Sequence, residues 1–374
     1  MRLCSNRFAR ILLFAFAAPL SVCAQTGAPV AAGRQAPAAL KPEQQPALDV
    51  DRDPVVSPDP EDNVVVSPGH PGPSSRGVAL ERGANGRYTL MRNVDEVVLN
   101  VSVFDDGTHL VNDLKKDDFK VWEDGVPQTI AAFQHQDLPV SMGILIDNSG
   151  SMRDKRVAVN EAALDLVRAS NPDDEAFVVN FSDEAYIDQD FTSSIAKLRD
   201  GLSHIDSRGG TALYDAVVAS ADHLEQDARR PKKVLLIITD GEDNASSLDL
   251  EQTIHKVQDL QGPVVYSIGL LFGSETDPHE GRRAKRALQL LSDETGGLAF
   301  FPKSLAQVDS IAAEVAEDIR SQYTIGYHST KPLTDPGYRT IKVEVHAKGY
   351  KKLMVRTKSG YYPRQSPPSK APAQ

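Results

Sequence analysis

The sequence predicts an α/β fold, a doubly wound and mostly parallel sheet with one antiparallel edge strand, inserted in a small all-β sandwich-like module. Three observations predict it. Between residues 138 and 322, apolar strand candidates alternate with helical stretches, the pattern of a sheet covered by crossover helices. Strands such as VLLIIT, Val234 to Thr239, are apolar on both faces, as a parallel sheet buried on both sides requires. On either side of that region, apolar and polar residues alternate with period two, as half-solvated antiparallel strands do.

In chain order, the first element is a secretory signal peptide over residues 1–24. Arg2, Arg7 and Arg10 precede the apolar run ILLFAFAAPL, and Val22-Cys23-Ala24 ahead of Gln25 forms a small-residue cleavage pattern. The run is about half of the ~20 residues that cross a bilayer, and no later stretch is long enough, so no transmembrane segment is expected. The mature protein is expected to be exported, periplasmic or extracellular. Leu20-Ser21-Val22-Cys23 resembles a lipidation box but carries Val22 where Gly, Ala or Ser is usual, which makes lipid anchoring the weaker alternative.

Residues 25–87 are dense in Pro, Ala, Gln, Gly and Asp and hold VVSP twice, at Val55 to Pro58 and Val65 to Pro68. Such a composition buries too little apolar surface to offset its ordering entropy, so a disordered linker is expected. Residues 363–374 read as a tail of the same kind. Residues 88–137 form the β-rich first part of the sandwich module: Val97, Leu99, Val101 and Val103 alternate with other residues, and DFKVWEDGVPQ carries an Asp124-Gly125 turn signal. Residues 323–362 form its second part. There Ile341, Val343 and Val345 alternate with Lys342, Glu344 and His346, and LMVRT leads on to Tyr361 and Tyr362. Each part supplies too few strands to be stable alone, so the two are expected to share one core.

The intervening residues 138–322 offer the strands SMGILID, EAFVVNFS, KKVLLIITD, GPVVYSIGLL and GGLAFF, with the short polar run YIDQDFT as the antiparallel edge. One helix follows Ser151, placing Val159, Ala162, Ala163, Leu166 and Val167 on one face until Asn171-Pro172 stops it. Others are expected near Thr211–Gln226, Leu248–Leu260, Arg282–Glu294 and Ser304–Arg320.

Charge and thiol content exclude several function classes. The net charge is −11, and loss of residues 1–24, which carry three Arg and no acid, takes it to −14. Nucleic acid and anionic membrane surfaces are therefore not expected as partners. Both cysteines, Cys4 and Cys23, precede Gln25, so the mature chain has no thiol for a disulfide, a zinc site or a nucleophile.

The candidate site is a set of oxygens. Asp147 closes SMGILID and Asp240 closes KKVLLIITD, and ligands of open parallel sheets collect beyond the carboxyl ends of the strands. If the two strands are neighbours, the carboxylates meet at one rim. Ser149 and Ser151 lie on the turn opening the next helix, where Gly150 permits a sharp bend. Two carboxylates and several hydroxyls without Cys or His suit a hard cation, Mg2+ or alternatively Mn2+ or Ca2+.

Asp147-x-Ser149-x-Ser151, Thr211 after Gly209-Gly210, and Asp240 within Thr-Asp-Gly together resemble the metal-ion-dependent adhesion site of von Willebrand factor type A domains. The similarity spans about residues 138 to 322. The flanks further resemble bacterial secreted proteins with a von Willebrand-related domain between β-rich pieces. The resemblance implies that Ser149, Ser151 and Thr211 contact the metal directly, that Asp147 and Asp240 bind it directly or through water, and that a carboxylate of a protein partner completes the octahedron. Three weakly charged oxygens leave the ion electrophilic, whereas a cage of carboxylates would quench it. One position departs from the integrin β pattern: Asp154 is followed by Lys155, not by a second aspartate, so a neighbouring regulatory metal is not expected.

Enzymatic readings lack their motifs. An aspartyl-phosphate enzyme needs an Asp where Ser149 stands, and neither a G-x-S-x-G elbow nor a P-loop is present. The expected function is a non-catalytic, cation-dependent binder of an acidic protein group. The alternatives are a module that interacts through its β-rich part without metal and, less favoured, a metal-dependent hydrolase. Glu242, Asp243 and Asn244 read as a solvated acidic loop, and His204, His223 and His255 as surface residues.

Overall fold

The structure, a computed structural model, describes residues 96–363 apart from 107–108, 170, 204–206, 261, 273–277 and 333–334, together with the backbone of Leu80–Arg82 and Tyr88–Leu90. The expected signal peptide, almost all of the expected linker, the tail beyond residue 363 and His204 lie outside the described residues. The elements run β1 (Leu80–Arg82), β2 (Tyr88–Leu90), β3 (Glu96–Phe104), β4 (Phe119–Glu123), β5 (Val126–Gln128), β6 (Ile130–Gln134), β7 (Val140–Asp147), α1 (Arg156–Ala169), β8 (Glu175–Phe181), β9 (Ala185–Thr192) and α2 (Ile195–Ser203). They continue with α3 (Leu213–Asp227), β10 (Lys232–Thr239), α4 (Leu250–Asp259), β11 (Val264–Gly269), α5 (Pro278–Thr295), β12 (Ala299–Phe300), α6 (Val308–Arg320), β13 (Tyr323–His328), β14 (Arg339–Val345), β15 (Met354–Arg356) and β16 (Gly360–Tyr361).

The central sheet has the order β12-β11-β10-β7-β8-β9. All neighbours in it are parallel except β9, which pairs antiparallel with β8 at the edge. Every residue of β7, β8 and β11 is buried, because helices cover both faces. On one face Val159 and Leu166 of α1, Leu198 of α2 and Val315 of α6 pack on Ile144 and Ile146. On the other, Leu213 and Val217 of α3, Val257 of α4 and Leu288 of α5 pack on Leu145 and Leu235. This is the doubly wound α/β fold that the two-sided apolar strands predict. Helix α2 has no counterpart among the sequence expectations, nor does β1, which falls within the expected linker 25–87.

β1 and β2 pair antiparallel with each other, and the remaining strands form two antiparallel four-stranded sheets, β15-β3-β13-β6 and β16-β14-β4-β5. Each contains strands from before and after the α/β body, and they enclose one core in which Leu99, Val101, Phe119 and Val121 meet Tyr323, Ile325, Tyr327 and Tyr361. Asp124 (φ 47°) and Gly125 (φ 78°) make the two-residue turn between β4 and β5, whose positive φ values match the strand twist.

From β7 the chain moves through α1 to β8 on one side, and it returns through α3 to β10 on the other. The strand order therefore reverses between β7 and β10, the place where open parallel sheets leave a crevice at their carboxyl ends.

Candidate metal centre

β7 and β10 pair with Ile146 opposite Ile238, so the next residues, Asp147 and Thr239, end their strands side by side. Thr239 Oγ1 donates to Asp147 Oδ2 at 2.5 Å, and Gly241 N donates to Thr239 Oγ1 at 3.2 Å. Asp147 Oδ1 accepts from Ser149 N at 2.8 Å, which folds the chain back at the end of β7. Ser149 Oγ and Ser151 Oγ are 3.1 Å apart, and Ser151 Oγ donates to Asp240 Oδ1 at 2.8 Å. The other oxygen of Asp240 pairs with the Lys155 ammonium. Thr239, Asp147, Ser149, Ser151, Asp240 and Lys155 thus form one continuous polar chain across the ends of two strands.

Thr211 joins this row from a third segment. Its N–H donates to Asn244 Oδ1 at 2.8 Å, and its carbonyl accepts from Asn244 N at 3.0 Å. The turn before it is held by Asp183, whose Oδ1 accepts from Gly210 N at 2.7 Å. Gly209 has φ +79°, and a Cβ there would lie 2.4 Å from Asp183 Oδ2, so glycine is required on both grounds. The hydroxyl of Thr211 lies 3.6 Å from where a Cβ on Gly241 would stand, beside Asp240.

Ser149, Ser151, Thr211 and Asp240 line one cleft of about 660 Å3, whose other walls include Asp154, Lys155, Glu242, Leu271, Phe272 and Glu280. Asp147 lies beneath it and is fully buried. All five residues singled out in the sequence therefore gather at the carboxyl ends of β7 and β10. Burial raises the Asp147 carboxyl to about 6, against the opposing pull of its hydrogen bonds from Thr239 and Ser149. Below it lies Arg156, also fully buried, whose Nη2 donates to Asn180 Oδ1 at 2.8 Å. Burial lowers this guanidinium to about 10, a depression that the nearby Asp188 and Asp147 charges oppose.

The donor set fits a hard divalent cation: two carboxylates and three hydroxyls, with no sulfur or imidazole among them. Among the described residues, no three His, Cys, Asp or Glu side chains form a group that could hold a metal ion.

Part of this scaffold gives no signal in the sequence. Thr239 sits in an apolar strand run and gives no polar signal except its place before Asp240. Asp243 and Asn244 are scaffold rather than a solvated loop: Asp243 Oδ2 accepts from Tyr214 N at 3.0 Å and from Ser246 Oγ at 2.5 Å, tying the loop to the start of α3. His223 is also no simple surface residue. Its ring stacks on Phe191 at 5.0 Å, and its Nε2 is 3.0 Å from Asp190 Oδ1.

Residues 142–242 match the family model described as von Willebrand factor type A domain. No curated protein matches the chain. Among solved structures, a von Willebrand factor type A protein from Catenulispora acidiphila is similar at 14% identity and TM-score 0.42, over 73% of this chain and 74% of its own. Proximal thread matrix protein 1 from the mussel byssus is similar at 17% identity and TM-score 0.41 over 50% of this chain; the match spans 49% of the mussel protein, about half its length. The vWF domain of the type V pili tip protein Mfa5 from Porphyromonas gingivalis is similar at 12% identity and TM-score 0.39, over 49% of this chain and 97% of its own.

Proposed function

This chain carries a von Willebrand factor type A domain, and from that premise we propose that it is an exported, non-catalytic binding protein that captures an acidic group of a protein partner through a divalent cation. The observation that carries the reading is the convergence of Ser149, Ser151, Thr211 and Asp240 on one cleft, with Asp147 beneath them. The three hydroxyls would hold the ion, and Asp147 and Asp240 would balance its charge and orient its water. When bound, the ion supplies an electrophilic position for a carboxylate.

A binding role is supported by how the carboxylates are engaged. Asp147 accepts from Ser149 and Thr239, and Asp240 from Ser151 and Lys155, which leaves neither placed as a general base. Mg2+ is the favoured ion, with Mn2+ or Ca2+ as substitutes of the same oxygen chemistry. Export rests on the leader-like residues 1–24. Among the described residues no helix is long and apolar enough to cross a membrane.

The test is capture of partners from the producing cell's envelope, first with magnesium and then with chelator, using wild type and Thr211→Ala. The reading expects proteins that bind only with magnesium and are lost in the variant. Undiminished capture in chelator would instead favour binding through the β-rich sheets.

A further inference from the structure

We propose that Lys155 is an internal cation that competes with the divalent ion for Asp240 and thereby sets the affinity of the metal centre; the inference rests on the binding reading above. The lysine belongs to the turn that presents Ser149 and Ser151. Its N–H donates to Met152 O at 2.9 Å and its carbonyl accepts from Val159 N at 3.1 Å, so its anchoring point is fixed relative to both serines.

The ammonium pairs with Asp240 Oδ2, and the pair is secluded: the lysine side chain is 19% exposed and the aspartate side chain 1%. It also stands 5.9 Å from the centroid of the Phe272 ring, a favourable seat for a cation. Ser151 Oγ occupies the other oxygen of Asp240. Both acceptor oxygens of this carboxylate are therefore engaged within the chain.

A divalent ion drawn to the same oxygens meets a positive charge already seated there. With both present, two carboxylates would face three positive charges in a secluded space, where repulsion is weakly screened. The ion enters only as the ammonium leaves Asp240. Breaking that buried pair subtracts from the binding free energy, and it releases the amine to solvent.

The experiment is calorimetric titration of magnesium into full-length wild type and Lys155→Met, with amine-specific labelling of Lys155 in wild type read by peptide mass spectrometry. Magnesium should bind the variant at least about tenfold more tightly, a gain of about 1.4 kcal/mol. Lys155→Arg, which keeps the charge, should stay near wild type. Lys155 should label slowly in chelator and faster in saturating magnesium. Equal or weaker binding by Lys155→Met, or a labelling rate unchanged by magnesium, overturns the inference and leaves the binding reading standing. Uptake by neither protein overturns both. Should Lys155→Met fail to fold, the labelling experiment on wild type decides alone.

Discussion

Thr239 and Asp147 end adjacent parallel strands, and the threonine hydroxyl donates to the buried carboxylate at 2.5 Å. That bond favours the charged form of a carboxyl that burial raises to about 6. Thr239→Val keeps the shape and removes the donor, so Asp147 should titrate higher still. The charged form loses most, and the variant should be destabilised by about 1–3 kcal/mol at pH 8, and by less at pH 5, where the carboxyl is protonated. Urea unfolding in chelator at the two pH values measures this; a loss equal at both would mean that Asp147 does not change charge between pH 5 and pH 8.

Asp174 gives a pH dependence remote from the metal centre. Its Oδ1 accepts from Val140 N at 2.7 Å and its Oδ2 from Asn171 N at 3.0 Å, pinning the start of β7 to the end of α1. Burial outweighs these bonds and raises the carboxyl from 3.8 to about 6. The folded state therefore binds more protons than the unfolded one between those values, and stability falls as pH rises through the window. Two pH units correspond to about 3 kcal/mol as an upper figure. Asp174→Asn should flatten that fall. Chemical denaturation of both proteins from pH 4 to 7 provides the comparison, and parallel curves would contradict the assignment.

Legibility in the sequence follows the range of the forces involved. Strand and helix periods are local, so the alternating strands around Val97 and the two-sided run ending at Thr239 indicate layers and sheet type directly. Asp147, Asp240, Ser149 and Ser151 are legible for the same reason, since the aspartates end strands and the serines lie on the turn that opens the next helix; Thr211 enters only through the resemblance. Thr239, Asn244 and Lys155 take their roles from residues 92, 33 and 85 positions away, and no local period encodes that. Helix α2 gives little signal because it is short: of its nine residues only Leu198, Gly201 and Leu202 are buried, too few for a clear apolar stripe. The GGLAFF strand is cut to Ala299–Phe300. Gly296 before it has φ +88°, and a Cβ on Gly297 would lie 1.9 Å from Val265 O.

Gly143 sets the packing at the centre of the sheet. A Cβ there would lie 2.5 Å from Phe177 Cζ and 2.6 Å from Leu235 Cδ2, and both partners are fully buried. Their rings and methyls have nowhere to retreat in a close-packed interior. Gly143→Ala should cost about 1–3 kcal/mol by overpacking. Gly125→Ala, at an open turn position with φ +78° and nothing within 4 Å, should cost less and through backbone strain alone. Thermal denaturation of the two variants separates the mechanisms, and equal losses would argue against the tight fit at Gly143.

Arg356 ties the sandwich sheets to the α/β body. Its guanidinium pairs with Asp318 of α6, and it also donates to Ser102 Oγ at 3.1 Å and to Gly296 O at 3.2 Å. Asp318 is almost fully buried and also accepts from Tyr266 OH at 2.5 Å, while its Oδ1 has no hydrogen-bond partner. Removing the arginine strands that charge, so Arg356→Met should cost about 3–5 kcal/mol. Adding Asp318→Asn should recover part of the loss, with a coupling of about 0.5–3 kcal/mol between the two positions. Two probes report on the two halves: Trp122, the one tryptophan of the chain, lies on β4 in the sandwich, whereas α1 to α6 all belong to the α/β body. Fluorescence and far-ultraviolet circular dichroism should therefore give one coincident urea transition for wild type and two separated transitions for Arg356→Met. Coincident transitions in the variant would mean that other contacts, such as the His255 ring of α4 against Tyr362 at 4.1 Å, suffice to join the two cores.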